Sequence, residues 1–317
     1  MKIYKYPAEG KLPFEGCAVA LGFFDGVHLA HREIISATVT EAQRRGLTSC
    51  VFTFSSEEGA IKRSAKRIYS TEEKLRLIET LGADAAVIAD FGAISEKSAE
   101  NFVLSVLAED LKCKLALCGY NFRFGKNASG NSELLGRLMQ KTGGEAVVFN
   151  EFTHEGKALS SSAVREALAR GDVSAASRML GAPYRLSGRV EHGLGQGRTF
   201  GIPTVNIDIP ESRVAPRLGV YRALTEIDGR VYTAVTNVGV CPTFGSRSVH
   251  AEAHIVDFSG DLYGRELRIF FMEFLREEKS FPDKESLLKQ IRLDTETAVE
   301  RNKEFLENKK WTEIGLN

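Results

Sequence analysis

The chain has 317 residues, of which 43% are hydrophobic and 26% are charged. This length exceeds that of one ordinary domain and this composition is that of a folded globular protein, so we expect two domains that each bury their own core. Lysine plus arginine equals aspartate plus glutamate at 42 each, which excludes the strong positive field of a general nucleic-acid-binding protein.

The apolar runs and the cysteines indicate the cellular compartment in which the protein functions. No stretch reaches the roughly 18 consecutive apolar residues of a membrane span, and residues 1–16 lack the apolar run of a signal peptide. The five cysteines are odd in number and form no Cys-x-x-Cys pair. We interpret them as reduced core thiols, with a reactive thiol at Cys241 as the alternative. We therefore expect a cytoplasmic protein that binds no membrane.

Short apolar runs alternate with helix-period segments through the first half of the chain. The predicted strands cover residues 17–21, 49–54, 83–91, 114–119 and 145–149. Residues 71–81 have leucine and isoleucine three or four apart, and Ser70 with Glu73 forms the capping box of a helix. This alternation predicts a doubly wound α/β domain whose parallel sheet binds ligands at the carboxyl ends of its strands.

The pattern changes after Pro183. Helix-period segments disappear, and β-rich runs follow at residues 184–191, 220–227, 231–238, 251–258 and 267–271. Glycine turns between such runs are typical of a small antiparallel β-barrel. An amphipathic helix from about residue 283 to residue 308 closes the chain. We predict a first domain of residues 1–181 and a second domain of residues 182–317.

A glycine turn joins the first predicted strand to the next helix, which we expect to begin near Arg32. The turn reads GFFDGVHLAH over residues 22–31. Free backbone amides and the helix dipole favour an anion there, and His28 and His31 add side-chain donors. By itself the histidine pair favours helix capping or packing, whereas a His-x-x-His zinc site lacks further ligands nearby.

Two more polar segments fall where the same sheet opens its cleft. The fourth predicted strand leads into GYNFRFGK over residues 119–126, and SSSAVR over residues 160–165 begins a later helix. A phosphate-binding P-loop is excluded, because five residues separate Gly119 from Gly125 and Asn127 follows the lysine.

A glycine-rich segment opens the second half. It reads LSGRVEHGLGQGR over residues 186–198. No helix follows, which excludes a dinucleotide-binding fingerprint. A mobile hairpin loop is one interpretation; the other is that backbone amides around Gly193, Gly195 and Gly197, beside Arg198, surround a polyphosphate.

Thr204 and Asn206 follow in the segment GIPTVN at residues 201–206. Two residues apart on an extended chain, their side chains point the same way. The hydroxyl and amide oxygens are suitable Mg²⁺ ligands once ATP brings the negative charge. In isolation the segment favours a turn or strand entry over a functional site.

In this order the segments resemble the prokaryotic bifunctional riboflavin kinase and FAD synthetase family. The second half has PTVN at residues 203–206, where the family has PTAN, followed by NVG at 237–239, PTFG at 242–245, EAH at 252–254 and DLYG at 261–264. The first half resembles the HxGH nucleotidyltransferases, except that Ala30 replaces the glycine. We expect Ala30 to be helical, where alanine is harmless; at a positive φ it would weaken phosphate binding.

The resemblance implies roles in the first domain. His28 and His31 would steady the α-phosphate of ATP. The other residues implied to bind nucleotide or pyrophosphate there are Gly22, Phe24, Asp25, Asn121, Phe124, Gly125, Ser161, Ser162 and Arg165. Asn121 and the turn at residues 122–125 would line the adenine side, and residues 161, 162 and 165 would hold pyrophosphate. The transfer needs positioning and Mg²⁺ rather than a protein nucleophile.

In the second domain the resemblance makes Glu252 the base that accepts the proton of the ribityl 5′-hydroxyl, with Mg²⁺ at Thr204 and Asn206. Glu252 on a solvated strand face is the alternative. Glu266 is a local competitor, which we interpret as a surface ion pair with its neighbour Arg265. The residues expected where the terminal helix covers the isoalloxazine are Phe281, Arg292 and Asp294.

The predicted function is two-step synthesis of flavin cofactors. Riboflavin and ATP would give FMN and ADP in the barrel, and FMN and ATP would give FAD and pyrophosphate in the α/β domain. One alternative, motivated by Ala30, is a riboflavin kinase whose first domain is a catalytically weak nucleotide-binding domain. The other, of a different class, is a sensor that binds flavin or nucleotide without turnover.

Overall fold

A computed structural model describes residues 1–55, 66–154, 156–191, 202–243 and 246–307. The chain folds into two compact units, Met1–Ser161 and Ser162–Asn317. This division places residues 162–180 with the second unit. The functional boundary between residues 181 and 182 stays a prediction.

The first unit is built around a six-stranded parallel sheet. Its strands, with two short pairs outside the sheet, are β1 Lys2–Tyr6, β2 Cys17–Leu21, β3 Thr48–Phe54, β4 Ala85–Ala89, β5 Cys113–Gly119, β6 Arg123–Phe124, β7 Gly130–Asn131, β8 Glu145–Phe149, β9 Thr153–His154 and β10 Lys157–Ala158. Its helices are α1 Leu29–Arg45, α2 Thr71–Thr80, α3 Phe91–Ser95, α4 Ala99–Asn101, which continues as the π-helix Phe102–Asp110, and α5 Ser132–Lys141.

The strand order β1-β4-β3-β2-β5-β8 confirms the doubly wound topology. From β2 the chain runs outward through β3 and β4 on one side, and through β5 and β8 on the other. Ligand clefts of such sheets open where the direction reverses, here between the carboxyl ends of β2 and β5.

The five strands predicted for this sheet are confirmed, two of them, β2 and β8, with the predicted bounds. The Ser70 capping box of α2 is also confirmed: Ser70 Oγ accepts from Glu73 N at 3.2 Å, and Glu73 Oε2 accepts from Ser70 N at 2.8 Å. The prediction that α1 begins near Arg32 is wrong. His28 has extended dihedral angles, φ −65° and ψ 170°, and is the N-cap, so the helix begins at Leu29. Ala30 is therefore helical, as predicted.

The second unit contains an antiparallel barrel. After the helices α6 Ser161–Ala169 and α7 Val173–Leu180 come the strands β11 Tyr184–Arg189, β12 Thr204–Ile209, β13 Gly219–Ile227, β14 Arg230–Thr243, β15 Ser246–Ile255 and β16 Glu266–Arg276, and then the terminal helix α8 Lys284–Glu307. The strand order is β11-β16-β13-β14-β15-β12. A bridge between Glu191 and Asn206 joins the two edges, which confirms the barrel.

A buried polar residue fixes α8 to the barrel wall. Asn302 is fully buried, and its Nδ2 donates to Ala223 O and to Thr233 Oγ1, both at 3.2 Å. Its Oδ1 accepts from Arg222 Nη1 at 2.6 Å. Because these bonds satisfy both ends of the amide, they hold the helix that covers one cavity of the barrel in a defined position.

Candidate active sites

A cavity of about 670 Å³ lies at the switch point of the parallel sheet. Its wall includes six of the residues singled out from the sequence, namely Gly22, Phe24, His31, Asn121, Phe124 and Gly125. The glycine at position 125 is required by close packing, because it has φ +72° and a Cβ there would lie 2.6 Å from Ala99 N. The fold thus assembles the β2 turn and the β5 turn around one cavity.

Asp25 holds the β2 turn in place rather than lining the cavity. It is only 3% exposed, and its Oδ1 accepts from Ile68 N at 3.0 Å. Its backbone oxygen accepts from Ser161 Oγ at 2.9 Å. Within the first unit, the turn is therefore tied both to the segment before α2 and to Ser161, the last residue of that unit. Ser162 and Arg165 follow in α6 within the second unit, and their contact with pyrophosphate stays a prediction.

The two histidines form a stacked pair at the start of α1. The ring centroids of His28 and His31 are 3.5 Å apart, with 18° between the planes, and Phe24 meets His31 edge-on at 5.2 Å. Among the residues that the structure describes, none hydrogen-bonds the buried Nδ1 of His31. The proton of a neutral His31 is therefore best placed on Nε2.

Burial, together with the neighbouring His28 and Lys74, lowers the pKa of His31 well below its usual value of 6.5. The unfolded chain binds a proton there near pH 6.5 and the folded chain does not, so stability is lost as the pH falls below about 6.5. We expect the melting temperature to decrease between pH 6.5 and pH 5, and His31→Gln to make the decrease shallower. Calorimetry of both proteins across this range measures it; equal slopes would contradict the prediction.

An aromatic wall faces the same cavity and was not predicted from the sequence. Phe23 stacks on Phe54 with centroids 6.4 Å apart, and Phe91 meets Phe54 edge-on at 5.6 Å. All three rings line the cavity. An aromatic, apolar wall of this kind suits a planar ring system. The sequence signal that could have indicated this wall is the position of the residues at strand ends, because Phe54 ends β3 and Phe91 follows β4, both at the carboxyl edge of the sheet.

In the barrel, two cavities of about 470 and 390 Å³ share one residue, Thr204. The larger is lined by Asn206, by Val190 of the glycine-rich segment and by Pro203. The smaller lies under α8 and is lined by Glu252 and by apolar residues of the helix. Gly193, Gly195, Gly197 and Arg198 lie outside the described residues.

Strand pairing brings the candidate kinase residues together. Glu252 on β15 is in register with Asn206 on β12 and with Asn237 on β14, so the three side chains share one face of the sheet. Thr204 Oγ1 donates to Glu252 Oε1 at 2.6 Å. The solvated-strand alternative for Glu252 is therefore less consistent with the structure than a place in the cavity wall.

The residues predicted near the isoalloxazine separate into two groups. Phe281 and Asp294 line the cavity under α8, where Arg276 holds the Asp294 carboxylate with bonds of 2.9 and 2.7 Å to Oδ2. Arg292 is exposed and lines a neighbouring cavity of about 340 Å³ with His254. Its contact with flavin stays a prediction.

The interpretation of Glu266 as an ion pair with Arg265 is wrong. Arg265 Nη2 pairs instead with Asp228 Oδ1 at 2.5 Å, because the β13–β14 turn brings Asp228 beside the start of β16. Glu266 is exposed at the first position of β16 and lines neither large barrel cavity.

The parallel sheet has a turn with two histidines at its switch point, and the barrel has a Thr-x-Asn strand with a facing carboxylate. Joined in one chain, these features define a two-domain nucleotide-dependent transferase. The comparisons agree with this class. A family model described as FAD synthetase matches residues 11–163, and one described as riboflavin kinase matches residues 180–301.

Curated relatives match along nearly the whole chain. The chain is 33% identical over 288 residues to the bifunctional riboflavin kinase/FMN adenylyltransferase of Bacillus subtilis strain 168, covering 89% of this chain and 91% of that protein. It is also 33% identical over 293 residues to the protein of the same name from Escherichia coli strain K12, covering 91% and 93%. The chain belongs to the bifunctional riboflavin kinase/FMN adenylyltransferase family. It carries both transferase activities, which convert riboflavin to FMN and FMN to FAD.

A solved structure shares the fold. The crystal structure described as a macrolide-efflux protein from Streptococcus pneumoniae matches with a TM-score of 0.84 and 26% identity, covering 95% of this chain and 99% of that chain. Within the described ranges of the present chain, no helix has the length and apolar character needed to cross a bilayer.

Proposed function

We propose that riboflavin is phosphorylated where the two barrel cavities meet at Thr204. The sharing of Thr204 by both cavities is the observation that carries this proposal. The larger cavity, which is lined by Val190 of the glycine-rich segment and by Pro203, would take ATP. The smaller one, covered by Phe281 and the apolar face of α8, would take the isoalloxazine, so the γ-phosphate and the ribityl 5′-hydroxyl would meet beside Glu252.

Glu252 would act as the general base. Its Oε1 accepts the hydroxyl proton of Thr204, which leaves Oε2 to accept the proton of the 5′-hydroxyl as its oxygen attacks the γ-phosphorus. The bond from phosphorus to the bridging oxygen breaks, and ADP leaves.

The residues at this point fit a magnesium ion. Because the Thr204 proton is directed at Glu252, the lone pairs of Oγ1 are available to a cation, and Asn206 adds an amide oxygen from the same strand. Among the described residues, no group of three or more His, Cys, Asp and Glu is arranged to hold a metal ion. ATP phosphates would therefore complete the ligand set. When bound, Mg²⁺ neutralises charge on the transferred phosphoryl group.

We further propose that FMN is adenylylated in the cavity of the first unit. An oxygen of the FMN phosphate would attack the α-phosphorus of ATP, and pyrophosphate would leave. The helix N-terminus at His28 and the Nε2–H of His31 would stabilise negative charge on the α-phosphate. Asn121 and the Phe124–Gly125 turn would line the adenine side.

The experiment is a time course of the purified chain with riboflavin and ATP, with MgCl₂ or with EDTA, in which flavins are separated by chromatography. We expect FMN first and FAD later with MgCl₂, and neither with EDTA. FMN that accumulates without FAD would contradict the proposal for adenylylation in the first unit. Riboflavin unchanged in the presence of MgCl₂ would overturn the proposal.

The domain boundary and the location of the protein also belong to this proposal. We place the adenylyltransferase in residues 1–181 and the kinase in residues 182–317, which is supported by family matches that end at residue 163 and begin at residue 180. A cytoplasmic location is supported by the free state of the four described cysteines, Cys17, Cys50, Cys113 and Cys118.

A further inference from the structure

Lys74 is a charged residue that no step described above uses. It lies on α2 on the same face as Leu77 and Ile78, and its side chain is completely buried. Lysine is almost never fully buried unless its head group is bound. The Lys74 head group reaches the carboxyl edge of the sheet, directly behind the turn that begins at Gly22.

The hydrogen bonds of Lys74 define its protonation state. Nζ lies 2.5 Å from Phe54 O, 3.2 Å from Phe23 O and 3.2 Å from Thr53 Oγ1. The Thr53 hydroxyl itself donates to Phe23 O at 2.9 Å. Since the threonine proton is used there, Lys74 must be the donor in its bond to Oγ1. Three bonds are donated, and only the ammonium form has three N–H groups.

These bonds fix one peptide unit of the turn. The Phe23 carbonyl accepts from both Lys74 and Thr53, and the Phe23 ring lies 4.6 Å from Nζ. The next residue, Phe24, has a φ of +53°, which is uncommon for a non-glycine residue. Because a peptide unit is planar, holding the Phe23 carbonyl also orients the N–H of Phe24, which points away from Lys74.

We propose that Lys74 is a positioning residue for adenylyl transfer, which fixes the β2 turn and its phenylalanines from behind through the Phe23 carbonyl. The inference rests on the proposal that this turn binds the ATP phosphates. Its consequence is that loss of the ammonium group displaces the turn from the reacting phosphate without removing any group that touches substrate. A displacement of this kind lowers kcat more than it raises KM.

The test compares Lys74→Met with Arg76→Met, a matched change at an exposed position of the same helix. FAD formation is measured with FMN and ATP supplied. We expect Lys74→Met to lower kcat about 100-fold with KM for FMN within about twofold, and Arg76→Met to leave both unchanged. Riboflavin kinase activity of the same molecules should be unaffected. In histidine NMR titrations, the pKa of His31 should move up in Lys74→Met, because a neighbouring positive charge is removed.

An unchanged kcat in a folded Lys74→Met protein would overturn the inference. Should that variant unfold the first unit, Thr53→Val provides the test, because it removes one of the two donors to Phe23 O at nearly constant volume. For Thr53→Val we expect kcat for FAD formation to fall about tenfold instead of 100-fold. Full activity of Thr53→Val would overturn the inference. Failure of the phosphate-site proposal itself would appear separately, as normal FAD formation in His31→Ala.

Discussion

Glu252→Gln is expected to lower the rate of FMN formation by a factor of about 10² to 10⁴, the usual contribution of a general base. Glutamine keeps the length of the side chain and can still accept the 2.6 Å hydrogen bond from Thr204, so the cavity should keep its shape. What is lost is the carboxylate oxygen that accepts the proton of the 5′-hydroxyl. The measurement is kcat for FMN formation at saturating riboflavin, ATP and MgCl₂, with riboflavin binding followed by fluorescence.

The control for this variant is present in the same chain. Glu266→Gln changes an exposed carboxylate at the start of β16, outside both large barrel cavities, and should form FMN at the normal rate. FAD formation from supplied FMN should be normal in both variants. A Glu252→Gln protein that binds riboflavin and retains full kcat would show that another group accepts the proton, or that none is needed.

Much of the fold could be predicted because its signals are local. The β2 run of CAVAL is apolar at every position and fully buried, and the Ser70–Glu73 capping box marks the start of α2. The strand β1 escaped prediction because it is an edge strand in which exposed lysines interrupt the apolar pattern. The start of α1 was misplaced because its N-cap, His28, is not one of the usual capping residues and makes no side-chain capping bond. The sequence therefore has no recognisable capping signal at this position.

The site was predictable only where its residues form a continuous motif. The turn at residues 22–31 and the Thr-x-Asn strand could be found this way. The aromatic wall could not, because Phe23, Phe54 and Phe91 come from three separate segments that only the sheet topology brings together. The role of Lys74 could not be predicted, because a lysine within an apolar helical face is normally assigned to the solvent-exposed surface. Its partners are largely backbone oxygens, which cannot be recognised from residue types in the sequence.

His31→Ala is expected to lower the rate of FAD formation by a factor of about 10² to 10³, the range measured when one donor to a developing negative charge is removed. His31 lines the cavity, and with the proton on Nε2 it can donate to an α-phosphate oxygen. FMN formation by the barrel should be unchanged. The measurement is kcat for FAD formation from supplied FMN, with FMN formation from riboflavin recorded on the same preparation.

The corresponding His28 variant separates the two histidines. His28 is the N-cap of α1 and stacks on His31, but it is not part of the cavity wall. If His28 contacts phosphate when ATP is bound, His28→Ala should lose as much activity as His31→Ala. If it only supports the ring of His31, His28→Phe, which preserves the stacking, should restore most of the rate lost in His28→Ala.

Because Ala30 lies between the two histidines in the first helical turn, near-normal FAD formation by the unaltered chain would also show that the missing motif glycine is not needed for the backbone at this position.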